Sequence, residues 1–211
     1  MFKCVIFDFD MTLVDSSYAI RDTMNMLAEK QGLPPVTRDQ VLEVIGMPIK
    51  ESWLKVWSRF EEEWLENYRE SFLENEFEGM APFPGTEKVL NFLKERNVAL
   101  GVASNRYSPV RPMKATGLYD YFGSAVGMGD VENAKPAPDM IIKSMADLGF
   151  GPGDSAYVGD TADDMAAARA AGVKGIGVTT SNASKEKLLS AGAWKVADAI
   201  EELLPLWKDE G

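Results

Sequence analysis

The chain has 211 residues, 45% hydrophobic and 26% charged, with a net charge of −11. That length suits one full domain with a smaller one inserted, and the strong negative charge argues against nucleic acid as a partner. There is no histidine, which excludes Ser-His-Asp and Cys-His catalysis and His-ligated zinc. Chemistry must then come from carboxylates, lysine, hydroxyls and a metal. The single cysteine, Cys4, reads as a small buried core residue and fits a reducing cytoplasm. The chain enters a strand almost at once without a signal-peptide pattern, and no apolar run approaches the roughly 18 residues of a membrane span.

In chain order, Cys4-Val5-Ile6-Phe7 is a short apolar run that predicts a buried parallel strand. Helical periodicity follows from Ser16 to about Lys30, with Ala19, Thr23, Met26 and Leu27 on one face and Gly32-Leu33-Pro34-Pro35 as the stop. Thr37-Arg38-Asp39-Gln40 has the form of a capping box opening a second helix, ending near Gly46-Met47-Pro48. A long amphipathic stretch then carries Trp53, Trp57, Phe60, Trp64, Tyr68 and Phe72 at spacings of three and four, the mark of a helical core. Residues 16–80 therefore read as a separate helical unit inserted into a domain made of 1–15 and 81–211.

The remainder alternates. Helix signals at Thr86 to Arg96, Pro109 to Thr116, Pro138 to Leu148, Ala162 to Ala171 and Ala199 to Leu206 interleave with strands at Val98 to Ala103, Ser124 to Val126, Ser155 to Val158, Gly175 to Val178 and Lys195 to Ala197. This alternation predicts an α/β, Rossmann-like parallel sheet with helices on both faces, plus the inserted all-α unit. Ligands in such sheets bind beyond the carboxyl ends of the strands.

The chemistry-bearing residues fall at those ends. Asp8 and Asp10 follow the first strand and point the same way. Two carboxylates that close repel each other unless a cation sits between them, which asks for a hard divalent metal such as Mg²⁺. Ser104-Asn105-Arg106 follows another strand and can grip a phosphate oxygen. Lys135-Pro136-Ala137-Pro138 is a stiff segment with a lysine at its head. Gly159-Asp160-Thr161-Ala162-Asp163-Asp164 puts Asp160 and Asp164 one helical turn apart, with Gly159 permitting a tight turn and Asp163 turned elsewhere. Taken singly, these segments also read as turns, helix caps and solvated side chains; their convergence carries the reading.

Together the segments resemble, in order and type, the motifs of the haloacid-dehalogenase-like (HAD) phosphohydrolases, and the helical insert resembles the small cap of the phosphoglycolate phosphatase-like and beta-phosphoglucomutase-like branch. The resemblance implies Asp8 as a nucleophile forming an aspartyl-phosphate and Asp10 as general acid and then base, its carbonyl binding Mg²⁺. It implies that Ser104 and the Asn105 N–H hold the phosphoryl group, with Thr12 also on the substrate side. Lys135 would neutralise charge, Asp160 would ligate Mg²⁺, and Asp164 would act at the metal or on Lys135. Lys50 and Arg106 are the candidates for contacting the rest of the substrate, and Met11 stands where many relatives have glycine.

The expected activity is Mg²⁺-dependent hydrolysis of a small phosphorylated metabolite, such as phosphoglycolate or a sugar phosphate, by a monomer or homodimer. A phosphomutase is the nearest alternative. Asp10 weighs against a dehalogenase or a phosphonate hydrolase, and the helical insert weighs against a phospho-aspartate receiver module.

Overall fold

The computed structural model describes residues 2–72 and 77–207. The chain divides into two compact units, residues 1–14 with 82–211 and residues 15–81.

The first unit is built on a six-stranded sheet of β1 (Cys4–Phe7), β4 (Ala99–Ala103), β5 (Ser124–Val126), β6 (Ser155–Gly159), β7 (Lys174–Val178) and β8 (Lys195–Ala197). Two further strands, β2 (Val14–Asp15) and β3 (Ala81–Pro82), form a separate two-stranded ribbon where the chain passes between units. The strand order in the large sheet is β5-β4-β1-β6-β7-β8, and each pairing is parallel. From β1 the chain builds outward to β4 and β5, then returns to the other side of β1 to lay down β6. The strand order thus reverses at β1, the switch point where ligands of such sheets bind.

All four residues of β1 are fully buried, as expected of a central parallel strand covered on both faces. Alternation of the pleat sends Cys4, Ile6 and, from β6, Tyr157 into a cluster with Met140, Ile141 and Met145 of α7 (Asp139–Leu148) and Ala167 and Ala168 of α8 (Ala162–Ala170). The opposite face carries Val5 and Phe7. On its flank α5 (Thr86–Glu95) packs on β4 and on the 3-10 segment Ile200–Trp207, and α6 (Val110–Ala115) follows β4 in the chain. That last segment departs from the α-helix expected at its position. Pro205 lies inside it and lacks the N–H that an α-helical ladder requires. A short helix, α9 (Lys185–Ser190), was not anticipated; Ser184 caps it by accepting from the Lys187 N–H.

The second unit is helical. Helix α1 (Ser17–Gln31) buries Met24 where the sequence reading had placed Met26, which is exposed. Helix α2 (Arg38–Leu42) opens with the expected capping box of Thr37 and Gln40 and ends at Leu42, before Gly46. The aromatic stripe is divided between α3 (Ile49–Trp57) and α4 (Glu62–Phe72), separated at Ser58, which has a positive φ of 55°. Trp53 is fully buried, with the rings of Trp57, Phe60, Trp64 and Tyr68 centred 5.6–6.1 Å away. The stripe is a hydrophobic core with offset and edge-on ring contacts. The Phe72 side chain, expected to join it, lies outside the described set.

Candidate active site

Pairing register sets the tips of β1, β4 and β6 at one level. Phe7 is opposite Val102 on one side and Val158 on the other. Asp8 therefore emerges one residue past β1, and its N–H still donates to the Val158 carbonyl at 2.8 Å. The Ser104 N–H likewise donates to the Val126 carbonyl at 3.0 Å. Asp160 follows Gly159 directly at the end of β6.

Lys135 joins these tips. Its ammonium lies 2.6 Å from Asp8 Oδ1, 2.7 Å from Asp164 Oδ1 and 2.9 Å from the Tyr157 hydroxyl. An ammonium has three protons, so each has one acceptor. All four residues are buried. The Lys135 peptide is held by the Asn105 side chain, whose Oδ1 accepts from Lys135 N at 3.0 Å and whose Nδ2 donates to Lys135 O at 3.3 Å. The sequence reading gave Asn105 a backbone role only. Its amide instead spans two loops as a strand partner would.

Carboxyl oxygens of Asp8, Asp160 and Asp164 lie within 4.8 Å of one another, but the three acids are not equivalent. Asp164 has both oxygens committed. Oδ1 faces Lys135 and Tyr157, and Oδ2 accepts from the Thr161 N–H at 2.9 Å and hydroxyl at 2.6 Å. Thr161 in turn caps α8 by accepting from the Asp164 N–H. Asp164 is therefore both a capping-box residue and the anchor of Lys135, with both oxygens already engaged in hydrogen bonds. Asp160 differs. Oδ1 accepts from the Thr12 hydroxyl at 2.8 Å, but Oδ2 is buried and, among the described residues, meets no hydrogen-bond partner. A buried carboxylate oxygen without a partner costs several kcal/mol unless something positive is placed against it. That orphaned oxygen, with Asp8 nearby, fits a hard cation with oxygen ligands.

The electrostatics agree. Burial, then the charge of Asp164, push Asp160 up to about 7, against the pull of the Thr12 hydrogen bond. Burial also raises Asp8 well above the ordinary carboxylate range; Lys135 opposes this while Asp164, Asp160 and Asp10 add to it. Burial alone would lower Lys135, but the charges of Asp164 and Asp8 overcome it and hold the ammonium protonated. Asp164 resists its own burial through Lys135 and Thr161 and ends below the usual value. With all three acids ionised, the cluster would carry more negative charge than one lysine balances.

Other expected site residues lie elsewhere. Thr12, expected on the substrate side, is fully buried and uses its hydroxyl on Asp160. The Asp10 carboxylate is not in the buried triad. Arg106, expected to contact substrate, grips it with two bonds of 2.8 Å. Lys50 belongs to the helical unit, where its ammonium lies 5.1 Å from the Phe60 ring centre. Asp163 is exposed, as expected. Met11 has a positive φ of 59° and a fully buried side chain. Its carbonyl accepts from Thr180, and the Asp160 carbonyl accepts from Ser181 at 3.2 Å. The hydroxyl run Thr179-Thr180-Ser181 beyond β7 was the unused sequence signal for this support.

A family model of haloacid dehalogenase-like hydrolases matches residues 5–178. A phosphoglycolate phosphatase from Aquifex aeolicus is 31% identical over 175 residues, 82% of each chain. A Clostridium acetobutylicum structure described as a predicted phosphatase superposes with a TM-score of 0.85 at 26% identity, covering 98% of both chains. A beta-phosphoglucomutase from Clostridium difficile shares the fold, with a TM-score of 0.79 at 22% identity over 96% of this chain and 93% of that one. The chain belongs to the haloacid dehalogenase-like hydrolase family, in its phosphoglycolate phosphatase-like branch.

Proposed function

We propose that this protein is a Mg²⁺-dependent phosphatase that hydrolyses a small phosphorylated metabolite through a phosphorylated Asp8. The observation that carries the reading is the buried Oδ2 of Asp160, without a hydrogen-bond partner among the described residues, beside Asp8 and Lys135. Asp8, Asp160 and the main-chain carbonyl of Asp10 would hold Mg²⁺, which when bound screens the anionic phosphoryl group from Asp8.

The chain's own residues do the rest. An Asp8 carboxylate oxygen attacks phosphorus while the bond to the ester oxygen breaks, and Asp10 gives that oxygen its proton. Water then attacks the phosphorus of the aspartyl-phosphate, its proton passing to Asp10, and Asp8 is restored as phosphate leaves. Lys135, held by Asp164 and Tyr157, keeps a fixed positive charge against Asp8 and the phosphoryl oxygens throughout. Ser104 offers a hydroxyl at the β4 tip to a phosphoryl oxygen. We read the helical unit as a cap that selects the substrate. The relative named as a phosphoglycolate phosphatase supports phosphoglycolate as the first compound to assay.

The test is phosphate release from a panel of phosphorylated metabolites, with and without Mg²⁺, by wild type and Asp8→Asn. The variant is expected to be inactive across the panel, and wild type inactive without the metal. Substantial turnover by Asp8→Asn would remove Asp8 from its role. An isomerised product without phosphate release would favour a mutase.

A further inference from the structure

The proposed acid, Asp10, is not positioned to act. Arg106 Nε and a terminal guanidinium nitrogen each lie 2.8 Å from one of its carboxylate oxygens. A carboxyl held by both oxygens in such a fork has neither one turned to a departing ester oxygen. The pair remains within reach of solutes, since 22% of the Arg106 side chain and 11% of the Asp10 side chain stay exposed.

The loop beneath is pinned. Arg106 N donates to Ser104 Oγ at 3.2 Å, the Arg106 carbonyl accepts from Met128 N at 2.8 Å, and the Tyr107 carbonyl accepts from Gly129 N at 3.0 Å. Motion at this point is left to the Arg106 side chain. It begins two residues beyond Ser104, the hydroxyl assigned to the phosphoryl group.

We propose that Arg106 is a positioning residue that keeps Asp10 parked until a substrate carrying a second anionic group draws the guanidinium away. This rests on the phosphatase reading above. A carboxylate or second phosphoryl group near the ester oxygen presents the same planar pair of acceptors as Asp10. One charged fork replaces another, no covalent bond changes, and Asp10 is released toward the ester oxygen. A substrate that ends in a hydroxyl cannot make the exchange, so it binds with Asp10 still parked and turns over slowly. Selection for esters that carry an anionic group beyond the phosphoryl group thus acts on the proton donor itself as well as on binding.

The experiment compares two esters of equal length, 2-phosphoglycolate and 2-hydroxyethyl phosphate, in wild type, Arg106→Ala and Arg106→Lys, each checked by thermal melting. Wild type is expected to prefer the carboxylate ester by at least about tenfold in kcat/KM. In Arg106→Ala the two esters should move in opposite directions, KM rising for phosphoglycolate and kcat rising for the hydroxyethyl ester, until the preference is within about threefold. Arg106→Lys, which keeps the charge without the fork, should fall between and answers the question if the alanine variant fails to fold. A parallel loss on both esters, or no preference in wild type, would overturn the gate. A 4-nitrophenyl ester, whose leaving group needs no proton from Asp10, separates the two readings. If wild type releases no phosphate even from that ester, the phosphatase reading falls and takes the gate with it.

Discussion

Lys135 meets three acceptors, and the least obvious of them is Tyr157. The phenol accepts from the ammonium and has a single proton to share between the Ala103 carbonyl at 2.9 Å and Asp164 Oδ1 at 3.0 Å. Burial and the charge of Asp164 keep that phenol protonated well past its ordinary range. Tyr157→Phe should leave one ammonium proton without an acceptor in a buried site, worth about 1.5–3 kcal/mol for a bond to a charged group. The expected result is a fall in kcat of roughly tenfold or more, with KM little changed and the circular dichroism spectrum intact. No sequence pattern announces Tyr157, because a tyrosine in an apolar strand looks like any other core residue. Met11 is the reverse case. The sequence marked it as unusual, yet its positive φ costs on the order of 1–3 kcal/mol while a fully buried methionine side chain contributes a comparable or larger amount of packing. The packing explains how the strained conformation is held.

Among elements, the strand tips carry the site, and glycine decides how close they come. Gly159 was expected to ease a turn, but its φ is not in the left-handed region; what it supplies is space. A Cβ at this position would lie 2.5 Å from the Cβ and Cγ of Asp164, closer than carbon atoms approach. Gly159→Ala should push α8 outward at its first turn and carry Asp164 off Lys135. We expect at least a hundredfold loss of phosphate release, by analogy with removing one charge-stabilising donor, and a lowered melting temperature. Activity near wild type would show that α8 can shift without disturbing the lysine. The buried strands β1, β4 and β6 were legible as short apolar runs, and helices such as α7 from their helical spacing. The failures have physical causes. The aromatic stripe kept helical spacing through Ser58 although the chain turns there, because residues at one core can come from two helices. Helix α9 is six residues long and buries only Leu188, too few apolar positions to show a period.

For the molecule as a whole, the buried acids tie stability to pH and to metal. Asp160 and Asp8 are both raised by burial, so without metal the folded state holds protons that the unfolded chain has released. For Asp160 that difference opens near the ordinary carboxylate value of about 4 and closes near 7. Stability from this group is therefore full below about pH 4 and is lost as pH rises toward 7. Melting curves of metal-free protein should show wild type losing stability across that window relative to Asp160→Asn, by an amount on the order of a few kcal/mol. Mg²⁺ should raise the melting temperature more at pH 8 than at pH 5, since protons and cation compete for the same oxygens. An equal Mg²⁺ effect at both values would count against a carboxylate metal site. The identity of the acids was readable in the sequence because each follows a strand. Their division of labour was not, since only geometry shows that Asp164 has its oxygens filled and Asp160 does not. A last consequence follows from the ribbon of β2 and β3. These neighbouring strands carry the chain out to residues 15–81 and back, while Asp8, Asp10, Ser104, Lys135, Tyr157, Asp160 and Asp164 all belong to the other unit. Read as the cap proposed above, the intervening segment is a cassette with adjacent ends, which could be exchanged without altering any of these groups.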